Sequence, residues 1–260
     1  MKTINVDSIR PLKNYLINMQ ITVDTAVGEI VRSNFKTAQV FENYGIDFCC
    51  GGGKSLKEVS LEKGVDINKL IPEIHSALEL GDADARYFES LSPGDLCDYI
   101  INRHHTYVND NIPFLTLKLQ KLSDKHGSRH PELNLIKELF EDAACNLTLH
   151  MKKEELVLFP YIKRIAKAAS ENAEVKTSAS GSLRSQIEEL NKEHDTEGLR
   201  FEKISRISAN YSVPPDGCTT FDVTYKTLAE FEKDLHKHIH LENNILFKKA
   251  LDIESGLMLN

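Results

Sequence analysis

The sequence predicts an all-α protein, a small N-terminal helical domain followed by an up-down-up-down four-helix bundle. Three observations lead there. After about residue 95, four long stretches keep apolar residues at helical spacing. No stretch holds the period-2 alternation of a strand over a useful length. A His-x3-Glu pattern occurs twice, as His150/Glu154 followed by Leu158-Phe159 and as His238/Glu242 followed by Leu246-Phe247. Each copy is preceded by another histidine at nearly the same distance, His105 by 45 residues and His194 by 44. The chain therefore reads as two helical hairpins, each with one His on its first helix and a His/Glu pair on its second.

Taken in order, residues 1–20 carry no strong structural signal and are expected to be a loosely held arm. Between 24 and 44, Val27, Ile30, Val31, Phe35, Ala38 and Phe41 follow one helical face, with Gly45 placed to end the helix. The Gly-rich loop 46–53 comes next. Ser55 and Glu58 form a capping-box signature for a short helix, and another helix is expected from 67 to about 80. Residues 21–80 thus form a small helical domain. The Gly, Asp, Ser and Pro of 81–94 read as a linker. The bundle occupies 95–260. Its helices are expected at about 95–126, kinked at Pro113, and about 131–169, with Pro160 inside. The other two are expected at about 183–211 and 220–251.

The composition narrows function. Of 260 residues, 27% are charged and 41% hydrophobic, with a net charge of −7 and a pI near 5.8. An acidic balance argues against nucleic-acid binding, which calls for a clustered basic face. No apolar run approaches the roughly 18–20 residues of a membrane span. The N-terminus lacks the apolar core of a secretory signal, and five sparse cysteines do not resemble a disulfide framework. A cytoplasmic protein is expected.

Residues four apart on a helix share a face, so His150 with Glu154, and His238 with Glu242, can point at one centre. Imidazole with carboxylate suits iron, manganese or zinc. Four His and two Glu suit a carboxylate-bridged pair of ions in a bundle core. If both Glu bridge, each ion receives two His, two carboxylate oxygens and a solvent-derived bridge, with roughly one position open. Neighbouring residues lie about 100° apart on a helix, so only one of His104 and His105 is expected to face the core. The row through Ile101, Val108 and Ile112 favours His105. His236 and His240 form a competing i,i+4 pair, although only His238 repeats the first pattern. His126 and His130 read as solvated, and His75 as structural.

Cys49-Cys50-Gly51-Gly52-Gly53-Lys54-Ser55 ends like a phosphate loop, but Phe48 stands where that motif needs glycine and no strand precedes it. The adjacent thiols, in a loop expected to be exposed, can bind a soft metal, carry a redox change, form a labile disulfide, or simply pack beside a turn. Cys97, Cys145 and Cys218 read as packing or incidental residues.

Four segments, FCCGGG, HMKKEELVLFP, KEHDTEG and HIHLENNILF, carry a family resemblance over nearly all the chain after residue 20. The last 165 residues resemble the hemerythrin-like bundle. The N-terminal unit resembles the small domain of the iron–sulfur cluster repair proteins. That resemblance implies two non-haem iron ions held by His105, His150, His194 and His238, with Glu154 and Glu242 bridging. It also implies Cys49 and Cys50 as functional thiols, a homodimer, and damaged iron–sulfur proteins as partners. Hemerythrins that carry oxygen present two His one turn apart on the third helix, whereas Gly198 stands four residues after His194 here. A lesser departure is Lys248, where the first copy keeps Pro160. The function expected is repair of clusters damaged by nitric oxide or peroxide, by supplying iron. Direct reduction of nitric oxide at the same centre, and an O2 or NO sensor or carrier, are the alternatives.

Overall fold

The computed structural model describes residues 21–79, 83–171, 173 and 182–258. The expected arm at 1–20 lies outside them. The chain divides into two compact units, Met1–Tyr87 and Phe88–Asn260. Every regular element among the described residues is a helix, with no strand beyond one isolated bridge between Ala26 and Ser55.

In the first unit, α1 spans Val27–Ser33, α2 Thr37–Asn43, α3 Leu56–Lys63 and α4 Ile67–Glu79, with a 3-10 turn at Gly51–Gly53. Val27, Ile30, Val31, Phe41, Leu56, Leu70 and Ile74 are wholly buried and form its core. The single helix expected over 24–44 is broken. Asn34 is extended, at φ −158° and ψ 108°. Its buried amide donates to the carbonyls of Ala77 and Leu78, and its Oδ1 accepts from the Lys36 amide at 2.9 Å. A short amide side chain offers the backbone an alternative partner and so ends the helix. The apolar periodicity survives because α1 and α2 bury the same kind of face. The expected stops and starts hold elsewhere. Gly45 takes φ +62°, and Ser55 and Glu58 exchange both bonds of a capping box.

Of the segment 81–94 expected as a linker, Ala83–Ser90 forms helix α5, with Ala85 and Phe88 buried. Two alanines and a long aromatic are adequate helix formers, and burial of one face does the rest.

In the second unit, α6 (Pro93–Ile100), a π-turn (Ile101–His105) and α7 (Thr106–His126) make the first bundle helix. Ser92 caps it, accepting from the Asp95 amide. The second helix is α8 (Glu132–Lys153), a π-turn (Glu154–Leu158) and α9 (Phe159–Glu171). The third is α10 (Leu183–Ile207) alone, and the fourth is α11 (Thr219–Leu241), a π-turn (Glu242–Leu246) and α12 (Phe247–Met258). The long helices pack as a closed ring, each against the next and the fourth against the first.

One correction concerns an end. Helix α7 continues past Pro113, and a π-turn interrupts the first helix upstream at 101–105. Pro160 sits just past the second π-turn, where the hydrogen-bond ladder is already interrupted, so its missing amide costs little. The third helix stops at Ile207 rather than 211, because Ala209, Asn210 and Tyr211 all take positive φ. That left-handed turn is held by the Asn210 amide on the Ser205 carbonyl at 2.7 Å and the Tyr211 amide on Ser208 Oγ at 3.0 Å.

The bundle core has two apolar layers. One contains Leu96, Ile100, Phe159, Ile162, Leu190 and Phe247. The other contains Leu119, Phe140, Phe201, Leu228 and Phe231. The polar residues described next lie between them.

Asn34→Ala should leave two α4 carbonyls without their donor and destabilise the first unit by about 1–3 kcal/mol. Chemical denaturation followed by circular dichroism checks this; an unchanged midpoint would mean that the Asn34 bonds do not hold α4.

Candidate metal centre

Glu154 and Glu242 are both wholly buried, and they hold equivalent positions, each the first residue of a π-turn. Their two oxygens face different histidines. Glu154 Oε2 lies 3.3 Å from His105 Nε2 and Oε1 lies 3.3 Å from His150 Nε2. Glu242 Oε1 lies 2.9 Å from His238 Nε2 and Oε2 lies 3.2 Å from His194 Nε2. The result is two groups of potential metal ligands that share both carboxylates. One is His105, Glu154, His238 and Glu242; the other is His150, Glu154, His194 and Glu242. Within each group the ligand atoms all lie within 4.8 Å of one another. All six expected residues are thus brought together, in two equal sets of two imidazoles and two carboxylate oxygens.

The fit to cations can be tested on the polar atoms themselves. His105 Nε2, both oxygens of Glu154 and Glu242 Oε2 are buried without a hydrogen-bond partner among the described residues. Buried polar groups are otherwise almost always paired. Four such atoms converging between carboxylates suit metal ions bound there. Burial opposes charge on Glu242, yet His238 and His194 outweigh it and hold the carboxyl well below its usual range. Burial and Glu242 likewise push Glu154 up, and His150 and His105 reverse that. For His150 burial also opposes charge, but Glu154, Glu193 and Glu242 raise its pKa to about 10. The pocket is therefore organised around negative charge that a cation would neutralise.

The π-turns explain the spacing of the repeat. In an α-helix the residue beneath a Glu is four positions on; in a π-turn it is five. Phe159 and Phe247, each five after a Glu, are buried and lie flat against histidines. Phe159 stacks on His105 with centroids 5.8 Å apart, and Phe247 on His194 at 6.3 Å. The two hairpins thus repeat each other down to the ring under each imidazole.

The π-turn on the first helix overturns one expectation. His104 and His105 are both buried, each about 1% exposed. The widened turn lets His105 reach Glu154 while His104 bonds Asp234 Oδ2 at 3.0 Å and stacks on His238 at 5.6 Å. His104 belongs to neither ligand group. Burial lowers its pKa, whereas at His105 Glu154 outweighs burial and raises it. His240 is buried as well, bonded to Asn244, and neither it nor His236 joins a ligand group. His126, expected to be solvated, is buried with Nε2 at 3.4 Å from Cys218 Sγ. His130 bridges Glu132 and Asp216, and His75, expected to be structural, is exposed.

Sequence reasoning missed the residues that orient the imidazoles. His105 Nδ1 lies 2.7 Å from Glu155, His150 Nδ1 2.8 Å from Glu193, and His194 Nδ1 2.8 Å from Asn243. Each partner is the immediate neighbour of another member of the set, a signal visible in sequence only once the face is known. Such bonds fix the tautomer and leave Nε2 as the ligand atom. His150 and Lys153 hold Glu193 down at about 2. His238 differs, since its Nδ1 has no partner among the described residues. A cavity of about 360 Å³ between the second and third helices reaches His150 and His194, with Lys153, Glu189 and Lys192 on its walls.

The Cys49-Cys50 loop lies in the first unit. Cys49 is 3% exposed, against the expectation of an exposed pair, and Cys50 is half-buried. Phe48 and Ile46 are buried beside it and draw Cys49 inward. The hydrogen bond with Cys50, burial and the Asp47 carboxylate push the Cys49 thiol well above its usual pKa. Cys97 packs in the apolar core, Cys145 is exposed and Cys218 half-buried.

Comparison with known proteins adds two domain matches. The hemerythrin HHE cation binding domain matches residues 98–250, which include all six residues of the buried set. The ScdA_N domain, described as of unknown function, matches residues 23–78. The iron–sulfur cluster repair protein ScdA of Staphylococcus haemolyticus is 30% identical over 231 residues, 88% of this chain and 99% of that protein. The chain belongs to the iron–sulfur cluster repair family. Two further relatives carry the same description under the name YtfE. That of Enterobacter sp. is 31% identical over 229 residues and that of Pectobacterium atrosepticum 31% over 233, each covering 88% of this chain and 97% of the relative. Family membership accords with the all-α fold and the cation-binding bundle. No helix among the described residues is long and apolar enough to cross a membrane.

Asn243→Ala should free the His194 ring and lower metal affinity by about 10–100-fold, measured by competition with a chromogenic chelator. His236→Ala, outside both groups, should leave affinity unchanged; the reverse ranking would mean that the wrong face of the fourth helix has been chosen.

Proposed function

We propose that this protein repairs iron–sulfur clusters damaged by nitrosative or oxidative stress, supplying iron from a dinuclear centre in the bundle. The observation that carries this reading is the sharing of Glu154 and Glu242 between two equivalent groups of four ligand atoms. One carboxylate oxygen of each Glu serves each group. His105 and His238 would hold one iron ion, His150 and His194 the other, with an oxo bridge between them. Bound there, the ions supply ferrous iron for transfer and for redox reactions.

The chain's own groups do the rest. The two carboxylates hold the ions together, and their loss would leave two cations with less to offset their repulsion. Glu155, Glu193 and Asn243 keep Nε2 of three imidazoles turned inward. The apolar layers keep bulk water from either end. The cavity beside His150 and His194 gives a small molecule or ion a route between the second and third helices. With Gly198 in place of a further imidazole, the set stays at two His per group, which favours iron exchange over reversible oxygen carriage. Cys49 and Cys50 act as the element that passes iron to the damaged client or docks on it. A cytoplasmic homodimer completes the reading, on the strength of the composition and the family resemblance.

The purified protein should contain close to two iron atoms per chain by elemental analysis, and Glu154→Ala or Glu242→Ala should lose most of both. One metal per chain, or zinc alone in fully loaded protein, would overturn the dinuclear centre. The function is tested by adding reduced protein to a nitric-oxide-damaged [4Fe–4S] dehydratase, and separately to nitric oxide alone. Recovery of the dehydratase without N2O supports iron supply, whereas N2O without recovery would replace it with nitric oxide reduction. Cys49→Ala/Cys50→Ala should keep its iron yet recover the client several-fold more slowly; an equal rate would remove the thiols from the mechanism.

A further inference from the structure

The Asp47–Gly53 loop is built around one carboxylate. Asp47 Oδ1 accepts from the amides of Cys49 at 2.9 Å and Cys50 at 3.0 Å, and Oδ2 accepts from the Gly51 amide at 2.9 Å. A Cβ at Gly51 would only touch the Asp47 carboxylate, at 3.4 Å, so the turn rests on the carboxylate's three amide bonds rather than on glycine there. Phe48, buried and edge-on to Phe35 at 6.1 Å, anchors the loop from inside. The chain therefore holds two sulfurs and a carboxylate oxygen on one side of a fixed turn. Cys49 Sγ lies 3.1 Å from Asp47 Oδ1 and 3.8 Å from Cys50 Sγ.

The sulfur–sulfur distance matches a tetrahedral coordination polyhedron. Two thiolates at ~2.3 Å from a tetrahedral ion stand about 3.8 Å apart, and a thiolate and a carboxylate oxygen about 3.6 Å apart. The sulfurs already stand at the first separation, and Asp47 Oδ1, 3.1 Å from Cys49 Sγ, lies about 0.5 Å inside the second. The Cys49 thiol now points its hydrogen at Asp47 Oδ1, so a metal replacing that proton would find the same lone pair. All three ligand atoms fall within 4.8 Å of one another.

We infer that Asp47 Oδ1, Cys49 Sγ and Cys50 Sγ form a second, mononuclear site for a thiophilic divalent ion, separate from the bundle centre. Binding replaces two thiol protons, which leave to solvent, with two metal–sulfur bonds and changes no oxidation state. Three protein ligands leave a fourth position, and exposed Asp47 and half-buried Cys50 turn it toward solvent. Closed four-ligand sites serve structure, while three-ligand sites can take an incoming ligand. Such a site would exchange its ion with another thiolate or sulfide donor, as a stopping place for iron between proteins must. Only the identity of the cargo as ferrous iron rests on the repair function proposed above; the site itself rests on the loop.

The test uses the full-length, iron-loaded protein, reduced and free of oxygen, titrated with Co2+. Thiolate-to-cobalt absorption in the near ultraviolet requires sulfur ligands, so the His/Glu centre cannot produce it. One equivalent per chain should develop the band. Cys49→Ser and Cys50→Ser should each weaken binding at least tenfold, and Asp47→Asn several-fold, while Cys145→Ser/Cys218→Ser changes nothing. Thermal unfolding checks that the variants are folded, and if Cys49→Ser is not, half-buried Cys50→Ser decides. No sulfur band, an undiminished band in Cys50→Ser, or one cobalt per two chains would overturn the site. If the band is absent while the double cysteine variant still slows client recovery, the repair reading stands and this site falls.

Discussion

Two carboxylates with no exposure to water, facing each other between apolar layers, are the constraint on which the bundle depends. Burying one unpaired carboxylate is costly, and burying two together adds their repulsion. Four histidines, one from each bundle helix, surround the pair. Each helix must therefore present a polar residue at the same level of the core, which fixes the rotation and height of all four at once. Apolar packing above and below tolerates exchange of one aliphatic residue for another. The charged layer does not, and so it sets the register that the apolar layers then fill.

The fold was legible because helical periodicity is robust to local interruption. The four bundle helices lie close to their expected places, and breakers near 127–131 and 213–217 mark two of the turns. What periodicity could not show was a break that preserves the buried face, as at Asn34, whose tertiary bonds to α4 are invisible in a window of sequence. Within the segment 81–94 expected as a linker, Ala83–Ser90 is helical for the converse reason. Polar composition suggested a loop, but burying Ala85 and Phe88 was enough to make a helix.

For the buried centre, repetition supplied what no single motif could. The doubled His-x3-Glu pattern and its matched upstream histidines identified all six residues that converge. The five-residue step from Glu to Phe was equally visible, yet it is the trace of a π-turn, and a plain α-helical wheel misplaces everything beyond it. That wheel excluded His104 from the core, where it is in fact buried beside His238. The residues holding Nδ1 escaped notice because they act across helices, and pairings between distant helices are fixed only by the packed structure. Cys49 was misjudged for a related reason, since glycines suggested exposure and the neighbouring Phe48 and Ile46 draw it inside.

Three of the four bundle helices carry a π-turn where they meet the carboxylate layer, and the third, among its described residues, carries none. A π-turn is a helix with one residue too many in a single coil, and regularising it would turn everything downstream by about 100°. Each such helix can thus be regarded as two rods joined by a swivel at the level of the histidines. The uninterrupted third helix is the fixed post against which the swivels are set. A small change in the spread of the carboxylates could then be absorbed as local winding or unwinding, leaving the aliphatic packing at either end undisturbed.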